Sequence, residues 1–249
     1  MTNIELFIQS YNKLDSFMRK KLNCDMSVSH AKLLAQMSKT DIVFSRLESK
    51  LQAYRALRNA IVHIHHEGED PIANPNTEVV NEYKRIISYA MAPPLAIDSI
   101  AITNVFSVDW ETKIVDLNHL MLSKGLSIIP VVKEGKIEGI FSSWFLQKYL
   151  IETNVNFHRG MPIMEIYKEL NLNHPISYIH NVFRIDFQKT DASVDDIVNC
   201  FLNSSKSGNY FKAVYLTESG KPFEKISGVI TPHCLPTINP SILEKKLSI

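Results

Sequence analysis

The chain has 249 residues, of which 45% are hydrophobic and 21% are charged, and its formal net charge is +1. This composition excludes an intrinsically disordered chain, and the length allows one large domain or two ordinary ones. The small net charge excludes an overall basic field, so any contact with nucleic acid must depend on local positive groups.

The three cysteines, Cys24, Cys200 and Cys234, form no C-x-x-C pair. Their spacing argues against a disulfide framework and against a thiolate zinc site, and it favours a reducing compartment. The N-terminus lacks the basic start and the unbroken apolar run of a signal peptide. The longest largely apolar stretch, 86–97, contains two prolines and is too short to span a bilayer. We therefore expect a cytoplasmic protein with no membrane segment.

Hydrophobic periodicity predicts four helices before residue 92. Apolar residues recur every three or four positions over 4–22, around 29–37 and over 43–64. A fourth helix is predicted from residue 77 to 90, and we expect Thr77 to cap it. Residues 1–92 are therefore predicted to form an all-helical bundle.

Pro93 and Pro94 mark the predicted domain boundary, because two consecutive prolines cannot continue a helix. After them, strands are predicted at 104–109, 127–132 and 137–141, with helices at 113–124 and 143–150. A comparable β-α-β-β-α order returns with strands at 181–186, 210–216 and 226–230, a helix at 194–203 and a helical piece near Pro232. The strand starts Asn104-Val-Phe-Ser-Val-Asp109 and Asn181-Val-Phe-Arg-Ile-Asp186 are nearly identical, which indicates an internal repeat.

The predicted fold class is therefore α followed by α/β. We divide the chain into a helical domain at 1–92, a first repeat at 95–152 and a second repeat at 176–240. Residues 153–175 are assigned to a linker with one helix at 162–170, and residues 241–249 to a C-terminal tail.

Two runs in the first repeat, Ser127-Ile-Ile-Pro-Val-Val132 and Lys136-Ile-Glu-Gly-Ile-Phe-Ser142, resemble the cystathionine-β-synthase (CBS) domain. The signature of that family is a strand ending in Pro-Val-Val, a turn, and Gly-Ile-Val-Thr before a helix. The second copy has Gly228-Val-Ile-Thr231, but Lys212-Ala-Val-Tyr-Leu216 lacks the proline. The resemblance implies a tandem CBS module that binds a regulatory adenine nucleotide, ATP or AMP, between its repeats.

The resemblance also implies ligand contacts from the strands and from two hydroxyls at helix N-termini, where free N–H groups favour an anion. The residues concerned are Ile129, Pro130, Lys212, Ser142 and Thr231. The family's ribose-binding aspartate belongs three residues after each hydroxyl, where this chain has Phe145 and Cys234. A different ligand, no ligand, or a module that serves only for dimerisation is therefore an open alternative.

The segment Arg58-Asn59-Ala60-Ile61-Val62-His63 resembles the motif of the HEPN domain, a small helical bundle found in many prokaryotic toxin and defence ribonucleases. Its mark is an arginine, a polar residue, three more positions and a histidine. The flanking runs Phe7-Ile-Gln-Ser-Tyr-Asn-Lys-Leu14 and Pro71-Ile-Ala-Asn-Pro-Asn-Thr-Glu-Val-Val80 resemble a branch of this family fused to CBS repeats. The resemblance implies a role in stress or phage defence.

The implied activity is a metal-independent endoribonuclease that needs no catalytic cofactor. In this reaction the RNA 2′-hydroxyl attacks the adjacent phosphorus and leaves a 2′,3′-cyclic phosphate. His63 is the expected general base or acid, and Arg58 is the expected phosphate ligand. Asn59 is expected to orient the imidazole or to contact the phosphate.

Five residues along a helix correspond to a rotation of about 140°, so Arg58 and His63 are expected on different faces, whereas Asn59 and His63 share one. We therefore predict a homodimer that combines the two residues from different subunits, and such dimers could pair further into tetramers. A ligand in the CBS module would then control cleavage by changing the relative orientation of the two helical domains.

Four alternatives stay open. Arg58 could be a solvated surface residue, with His63 a histidine that gains from the helix dipole. The helical domain could instead bind RNA or a protein partner without cleavage.

Three histidines and three acidic residues lie within 63–70 and could hold a divalent metal. They straddle a helix end without a second ligand cluster, so we predict no metal site. His65 and His66 are expected to line the active cleft or to face solvent. The basic turn at 19–21 could attract RNA or be a solvated helix face.

Overall fold

The computed structural model describes residues 1–63, 71–153, 156–172, 184–206 and 211–237. The chain forms two compact units that divide between Pro94 and Leu95. Among the described residues, no helix combines the length and the apolar character that a membrane crossing requires. The three cysteines are free.

The first unit is all-helical, as the hydrophobic periodicity predicts. Its helices are α1 (Asn3–Leu22), α2 (His30–Thr40), α3 (Ile42–His63) and α4 (Thr77–Met91). Helix α1 begins with a capping box, in which the hydroxyl of Thr2 accepts from the Glu5 N–H at 3.2 Å and the Glu5 carboxylate accepts from the Thr2 N–H at 2.7 Å. Two backbone donors at the start of the helix are thereby paired.

The predicted cap of α4 is wrong by one residue. The side chain of Asn76 accepts from the Val79 N–H at 2.9 Å, and Thr77 is the first residue of the helix. Asn76 has extended backbone angles, which let its short amide side chain reach an otherwise unpaired N–H in the first turn. The Thr77 hydroxyl instead accepts from Asn3 Nδ2 at 3.3 Å.

The core of the first unit is built on one face of α1. Phe7, Tyr11, Leu14 and Met18 are buried at intervals of three and four residues. They pack with the buried residues of the other helices, including Leu34, Phe44, Leu51, Tyr83 and Ile87. Helix α2 lies along α3, and α1 lies along α4. Each helix is therefore fixed by the apolar face that the sequence pattern indicates.

The second unit begins with the short helix α5 (Ala96–Ser99) and a first repeat made of α6 (Ile114–Lys124), β1 (Ile128–Lys133), β2 (Lys136–Ser142) and α7 (Ser143–Glu152). Strands β1 and β2 form an antiparallel hairpin. Its turn residues Glu134 and Gly135 have φ values of 52° and 77°, the positive pair that a type I′ turn requires. A 3₁₀ helix (Ile163–Ile166) and α8 (Tyr167–Leu170) follow.

The second repeat contains β3 (Arg184–Lys189), α9 (Val194–Lys206), β4 (Phe211–Thr217), β5 (Gly228–Ile230) and a 3₁₀ helix (Pro232–Thr237). Strand β4 lies between β3, its parallel neighbour, and β5, its antiparallel neighbour. Of the predicted strand at 181–186, residues 181–183 lie outside the described residues, and β3 continues to Lys189 because it pairs with β4 as far as Thr217.

The predicted strand at 104–109 is wrong. Only Val108 pairs with β1, where its N–H donates to the Pro130 carbonyl at 3.2 Å and its carbonyl accepts from the Val132 N–H at 2.7 Å. Before Val108 no residue of the segment is buried, and after it a turn at Asp109 directs the chain towards α6. The segment therefore has too few buried side chains to continue the ladder.

Each repeat is completed by a segment outside its strands and main helices, and for the second repeat that segment is distant in sequence. Ala96 and Ile100 lie in the core of the second repeat with Ile197, Val214 and Ile230, whereas Met161, Ile163, Ile166 and Leu170, from the predicted linker, lie in the core of the first. Gly139 in β2 and Gly228 in β5 receive these segments. A Cβ on Gly139 would lie 3.0 Å from the Leu170 carbonyl oxygen, and one on Gly228 would lie 2.9 Å from Ile97 Cδ1.

Candidate functional site

The last turn of α3 brings Arg58 and His63 of one chain into contact. Arg58 Nη1 lies 2.9 Å from His63 Nε2. A guanidinium can only donate, so His63 Nε2 accepts in this contact. The prediction that a single chain keeps the two side chains apart is therefore wrong. The helix rises about 7.5 Å over five residues, a distance that a long arginine side chain can cover along the axis despite the 140° rotation.

Arg58 is half-buried and is not a freely solvated surface residue. Its guanidinium carbon lies 5.3 Å from the centroid of the Tyr11 ring on α1, a cation–π contact. Its Nε is buried and has no hydrogen-bond partner among the described residues. The half-buried guanidinium is a permanent cation with a planar set of N–H donors, which suits it to receive an anionic oxygen.

A second cluster, formed by Tyr11, Asp15 and His30, adjoins Arg58, and the sequence analysis missed it. The rings of Tyr11 and His30 stack with centroids 4.1 Å apart and planes 20° from parallel. His30 Nδ1 lies 2.8 Å from Asp15 Oδ1, and because a carboxylate only accepts, Nδ1 carries the proton. The only sequence signals were the i, i+4 spacing of Tyr11 and Asp15 and the position of His30 at the start of α2.

The charges around this cluster are mostly positive. Arg19 Nε lies 2.6 Å from Asp15 Oδ2, and Arg55 Nε donates to Gln52 Oε1 at 2.8 Å. Burial lowers the pKa of His30 and outweighs the opposing effect of Asp15, while Arg55 and Arg19 lower it further. Burial also raises the pKa of Tyr11, so its hydroxyl stays protonated near neutral pH. The cluster thus has a local excess of positive charge that the net charge of the whole chain conceals.

The other residues predicted for this site, Asn59, His65 and His66, add no contact to the Arg58–His63 pair among the described residues. Asn59 is half-buried, one turn before His63, and within the described ranges its side chain has no hydrogen bond. His65 and His66, with the rest of 64–70, lie outside the described residues. In the part of the chain that the structure describes, no group of three or more histidine, cysteine or acidic side chains could hold a metal ion.

The two hydroxyls predicted to bind a ligand both lie at helix starts. Ser142 caps α7, is buried, and accepts from the Phe145 N–H at 3.0 Å. Thr231 precedes the final 3₁₀ helix, where its N–H donates to Cys234 Sγ at 3.4 Å. The next residue, Pro232, has no N–H, so the second repeat offers fewer free backbone donors than the first.

The positions of the expected ribose aspartates face the cores. Phe145 is 2% exposed and stacks on Tyr149 at 5.6 Å, and Cys234 is 7% exposed within the core of the second repeat. Neither position offers a carboxylate or an accessible polar group.

Of the predicted ligand-binding strand residues, only Lys212 has an exposed side chain. It lies at the irregularity in the pairing of β3 with β4. The side chains of Ile129 and Pro130 are buried, so these residues can offer only backbone groups, and the Pro130 carbonyl already accepts from Val108.

A groove of about 600 Å³ lies between α1 and α4. No motif in the sequence indicates it. Lys13 on α1 and Lys84 on α4 line it together with the polar side chains of Gln9, Asn12, Ser16 and Ser88. On the helical wheel, Lys13 is about 160° from Tyr11, so most of the groove lies on the face of α1 opposite the Arg58 cluster.

No known protein family matches the sequence, and no curated protein matches it. Among solved structures, the CBS-domain pair of protein MJ0100 in complex with 5′-methylthioadenosine and S-adenosyl-L-methionine is 19% identical, with a TM-score of 0.40 over 62% of this chain and 99% of that one. CBSX2 in complex with AMP is 15% identical, with a TM-score of 0.39 over 61% and 98%. Protein MJ1225 from Methanocaldococcus jannaschii is 15% identical, with a TM-score of 0.40 over 73% and 62%.

Proposed function

We propose that the chain is an endoribonuclease whose helical unit, of HEPN type, cleaves RNA without a metal and whose second unit, a pair of CBS-type repeats, regulates that cleavage. The observation that carries this proposal is the 2.9 Å contact between Arg58 Nη1 and His63 Nε2. It joins a permanent cation, able to hold a phosphate, to an imidazole nitrogen that can accept a proton.

In the proposed reaction, His63 Nε2 takes the proton of the RNA 2′-hydroxyl. The 2′-oxygen then bonds to the adjacent phosphorus, the bond from phosphorus to the 5′-oxygen breaks, and that oxygen takes up a proton, which the imidazolium can return. The products are a 2′,3′-cyclic phosphate and a 5′-hydroxyl. Arg58 donates to the non-bridging phosphate oxygens, where negative charge increases in the transition state.

The contact also suggests how substrate activates the site. Without RNA, Arg58 Nη1 occupies the lone pair of His63 Nε2. A phosphate diester competes for the same donor, because a charged phosphate oxygen is a stronger acceptor for a guanidinium than a neutral ring nitrogen. Substrate binding would therefore free Nε2 to act as the base.

The proposed regulation requires a homodimer, and two such dimers could pair further into a tetramer. Each chain already brings Arg58 to its own His63, so the dimer is not needed to assemble the pair. Its proposed role is to let a ligand in the CBS-type unit change the orientation of two complete pairs and thereby the access of RNA.

The proposed regulatory ligand is an adenine nucleotide, ATP or AMP. The support is the resemblance of the first repeat to CBS sequences and the placement of Ser142 and Thr231 at helix starts. Because Phe145 and Cys234 replace the ribose carboxylates and are buried, recognition would depend on phosphate and base contacts.

The proposal is tested by incubating RNA with the purified chain in EDTA, with and without ATP or AMP. We expect the wild type and the matched control His119→Ala, which removes an exposed histidine on α6, to cleave, and His63→Ala to be inactive. No cleavage by the wild type under any of these conditions, or equal cleavage by His63→Ala, would contradict it.

A second candidate function is binding of RNA or a protein partner without cleavage. The groove between α1 and α4 favours it, because Lys13 and Lys84 place two positive charges among polar side chains there. If this function is correct, Lys13→Gln with Lys84→Gln abolishes RNA binding, Lys39→Gln at an exposed position of α2 does not, and no variant or wild type cleaves RNA.

A further inference from the structure

Tyr11 connects the Arg58–His63 pair to a fixed part of the first unit. Its ring is 7% exposed and contacts two cations or potential cations, the His30 imidazole at 4.1 Å and the Arg58 guanidinium at 5.3 Å. One phenol ring therefore contacts both the stacked imidazole and the guanidinium.

The His30 side of this arrangement is held firmly. Asp15 accepts from His30 Nδ1 at 2.8 Å and from Arg19 Nε at 2.6 Å, and Arg19 also donates to the Asp25 carbonyl. The His30 side chain is 9% exposed, and its lowered pKa keeps the imidazole neutral near pH 7. The plane of the Tyr11 ring is therefore set by contacts among α1, α2 and the turn between them.

Arg58 has four rotatable bonds and needs a constraint if it is to stay at His63. The Tyr11 ring supplies one, because its quadrupole attracts a cation placed over the ring. The guanidinium in this contact has Nη1 at His63. The ring thus selects an Arg58 conformation in which the guanidinium already lies beside His63 before RNA binds.

We propose that Tyr11 is a positioning residue, whose ring, fixed by the stacked His30 and by Asp15, holds the Arg58 guanidinium at His63 through a cation–π contact. The consequence for cleavage rests on the proposed ribonuclease function, whereas the consequence for the Arg58–His63 contact does not.

The test replaces Tyr11 with phenylalanine and with phenylalanines that carry one, two or three ring fluorines. Fluorine withdraws electron density from the ring face and weakens a cation–π contact with little change of shape, so these variants keep the core filled. The first readout is the ¹⁵N NMR signal of His63 Nε2 in the full chain without RNA. The second is single-turnover RNA cleavage.

We expect Tyr11→Phe to keep the wild-type signal of Nε2, and each added fluorine to move it towards the signal of Arg58→Gln. Cleavage is expected to decline along the same series by about 3- to 30-fold in rate, with a smaller change in half-saturation. Tyr83→Phe with the same fluorines is the matched control, because Tyr83 is also a buried tyrosine of the same core and stacks on Tyr54 at 4.3 Å.

A Nε2 signal that shows no trend with fluorination at position 11, or the same trend at position 83, would overturn the positioning role. If no variant cleaves RNA but the Nε2 trend is present, Tyr11 positions Arg58 and the ribonuclease proposal fails. The two outcomes are therefore separable.

Discussion

Arg58 is the residue of the first unit in which a permanent positive charge, a histidine contact and an aromatic contact meet. Nη1 donates to His63, the ring of Tyr11 lies against the guanidinium, and Nε is buried without a partner among the described residues. A lysine at this position would keep the positive charge but would lack the planar set of N–H donors of the guanidinium.

We therefore predict that Arg58→Lys lowers RNA cleavage by about 100-fold or more, while the circular dichroism spectrum is unchanged. The expected loss reflects the removal of preorganised donors to the phosphate, each worth a large factor in rate. The control is Arg46→Lys on the same helix. Cleavage by Arg58→Lys within about 3-fold of the wild type would show that charge alone suffices.

His30 gives the first unit a pH-dependent stability. Its folded pKa lies below the usual 6.5 because burial opposes protonation, with Arg55 and Arg19 acting in the same direction and Asp15 in the other. As the pH falls below about 6.5, the unfolded chain binds a proton that the folded chain does not, so the free energy of unfolding decreases until the folded pKa is passed.

Urea denaturation followed by circular dichroism at pH 7.5 and pH 5.5 measures this effect. We expect His30→Gln to show a smaller loss of stability between the two pH values than the wild type, and His119→Gln to behave as the wild type. An equal loss in His30→Gln and the wild type would exclude His30 as the titrating group.

The sequence motif predicts which residues form the pair but not their geometry. The 140° rotation between positions 58 and 63 describes where the Cβ atoms point, whereas contact depends on the reach of the arginine side chain. Tyr11, Asp15 and His30 could not be connected from sequence, because their contacts join two helices across a turn and follow no fixed spacing.

Helix ends in the first unit are decided by single side chains. Asn76 pairs the N–H of Val79 at 2.9 Å, whereas Thr77, the predicted cap, lies inside α4. Both residue types cap helices well, so the sequence alone does not choose between neighbours; the extended backbone at Asn76 does.

We predict that Asn76→Ala destabilises the chain by about 1 kcal/mol, the usual effect of losing an N-cap, and that Thr77→Ala has less than half of that effect. Chemical denaturation of both variants provides the measurement. If Thr77→Ala lowers the free energy of unfolding more than Asn76→Ala does, Thr77 is the cap, as predicted from the sequence.

The sequence predicts strands correctly where consecutive side chains, on both faces of the strand, are buried. The predicted strands at 127–132 and 137–141 correspond to β1 and β2, in which Ile129, Val131 and Phe141 are fully buried. The segment before Val108 has the same strand-forming residue types as its repeat, but its side chains are not buried, and no ladder forms. Residue type alone does not report burial, which is why this prediction failed.

At the scale of the whole molecule, the start of the second unit packs in the repeat that is farther away in sequence. Ala96 and Ile100 lie within the span predicted for the first repeat, 95–152, but they are buried in the core of the second repeat, whereas Ile163 and Leu170 complete the core of the first repeat, which they directly follow. The sequence predicts the repeated order of elements, but the placement of Ala96 and Ile100 depends on tertiary contacts that periodicity does not contain.

The burial of Ile100 in the core of the second repeat predicts which elements a mutation at this position destabilises. Ile100→Ala should cost about 2 to 5 kcal/mol, the usual range for a buried isoleucine, and should increase amide hydrogen exchange mainly in α9, β4 and β5. Leu117→Ala on α6, in the core of the first repeat, is the control and should act mainly on β1 and β2. If Ile100→Ala acts first on β1 and β2, the packing of Ile100 in the second repeat is contradicted.

In the proposed reaction, the Arg58–His63 pair cleaves RNA through attack of the 2′-hydroxyl of the RNA on the adjacent phosphorus. The most direct measurement is mass spectrometry of the ends of RNA fragments produced by the full chain in EDTA. We predict 2′,3′-cyclic phosphate and 5′-hydroxyl ends, which are absent when a 2′-deoxynucleotide occupies the cleavage position. Fragments with 5′-phosphate ends, cleavage at the 2′-deoxy position, or intact RNA would contradict the account.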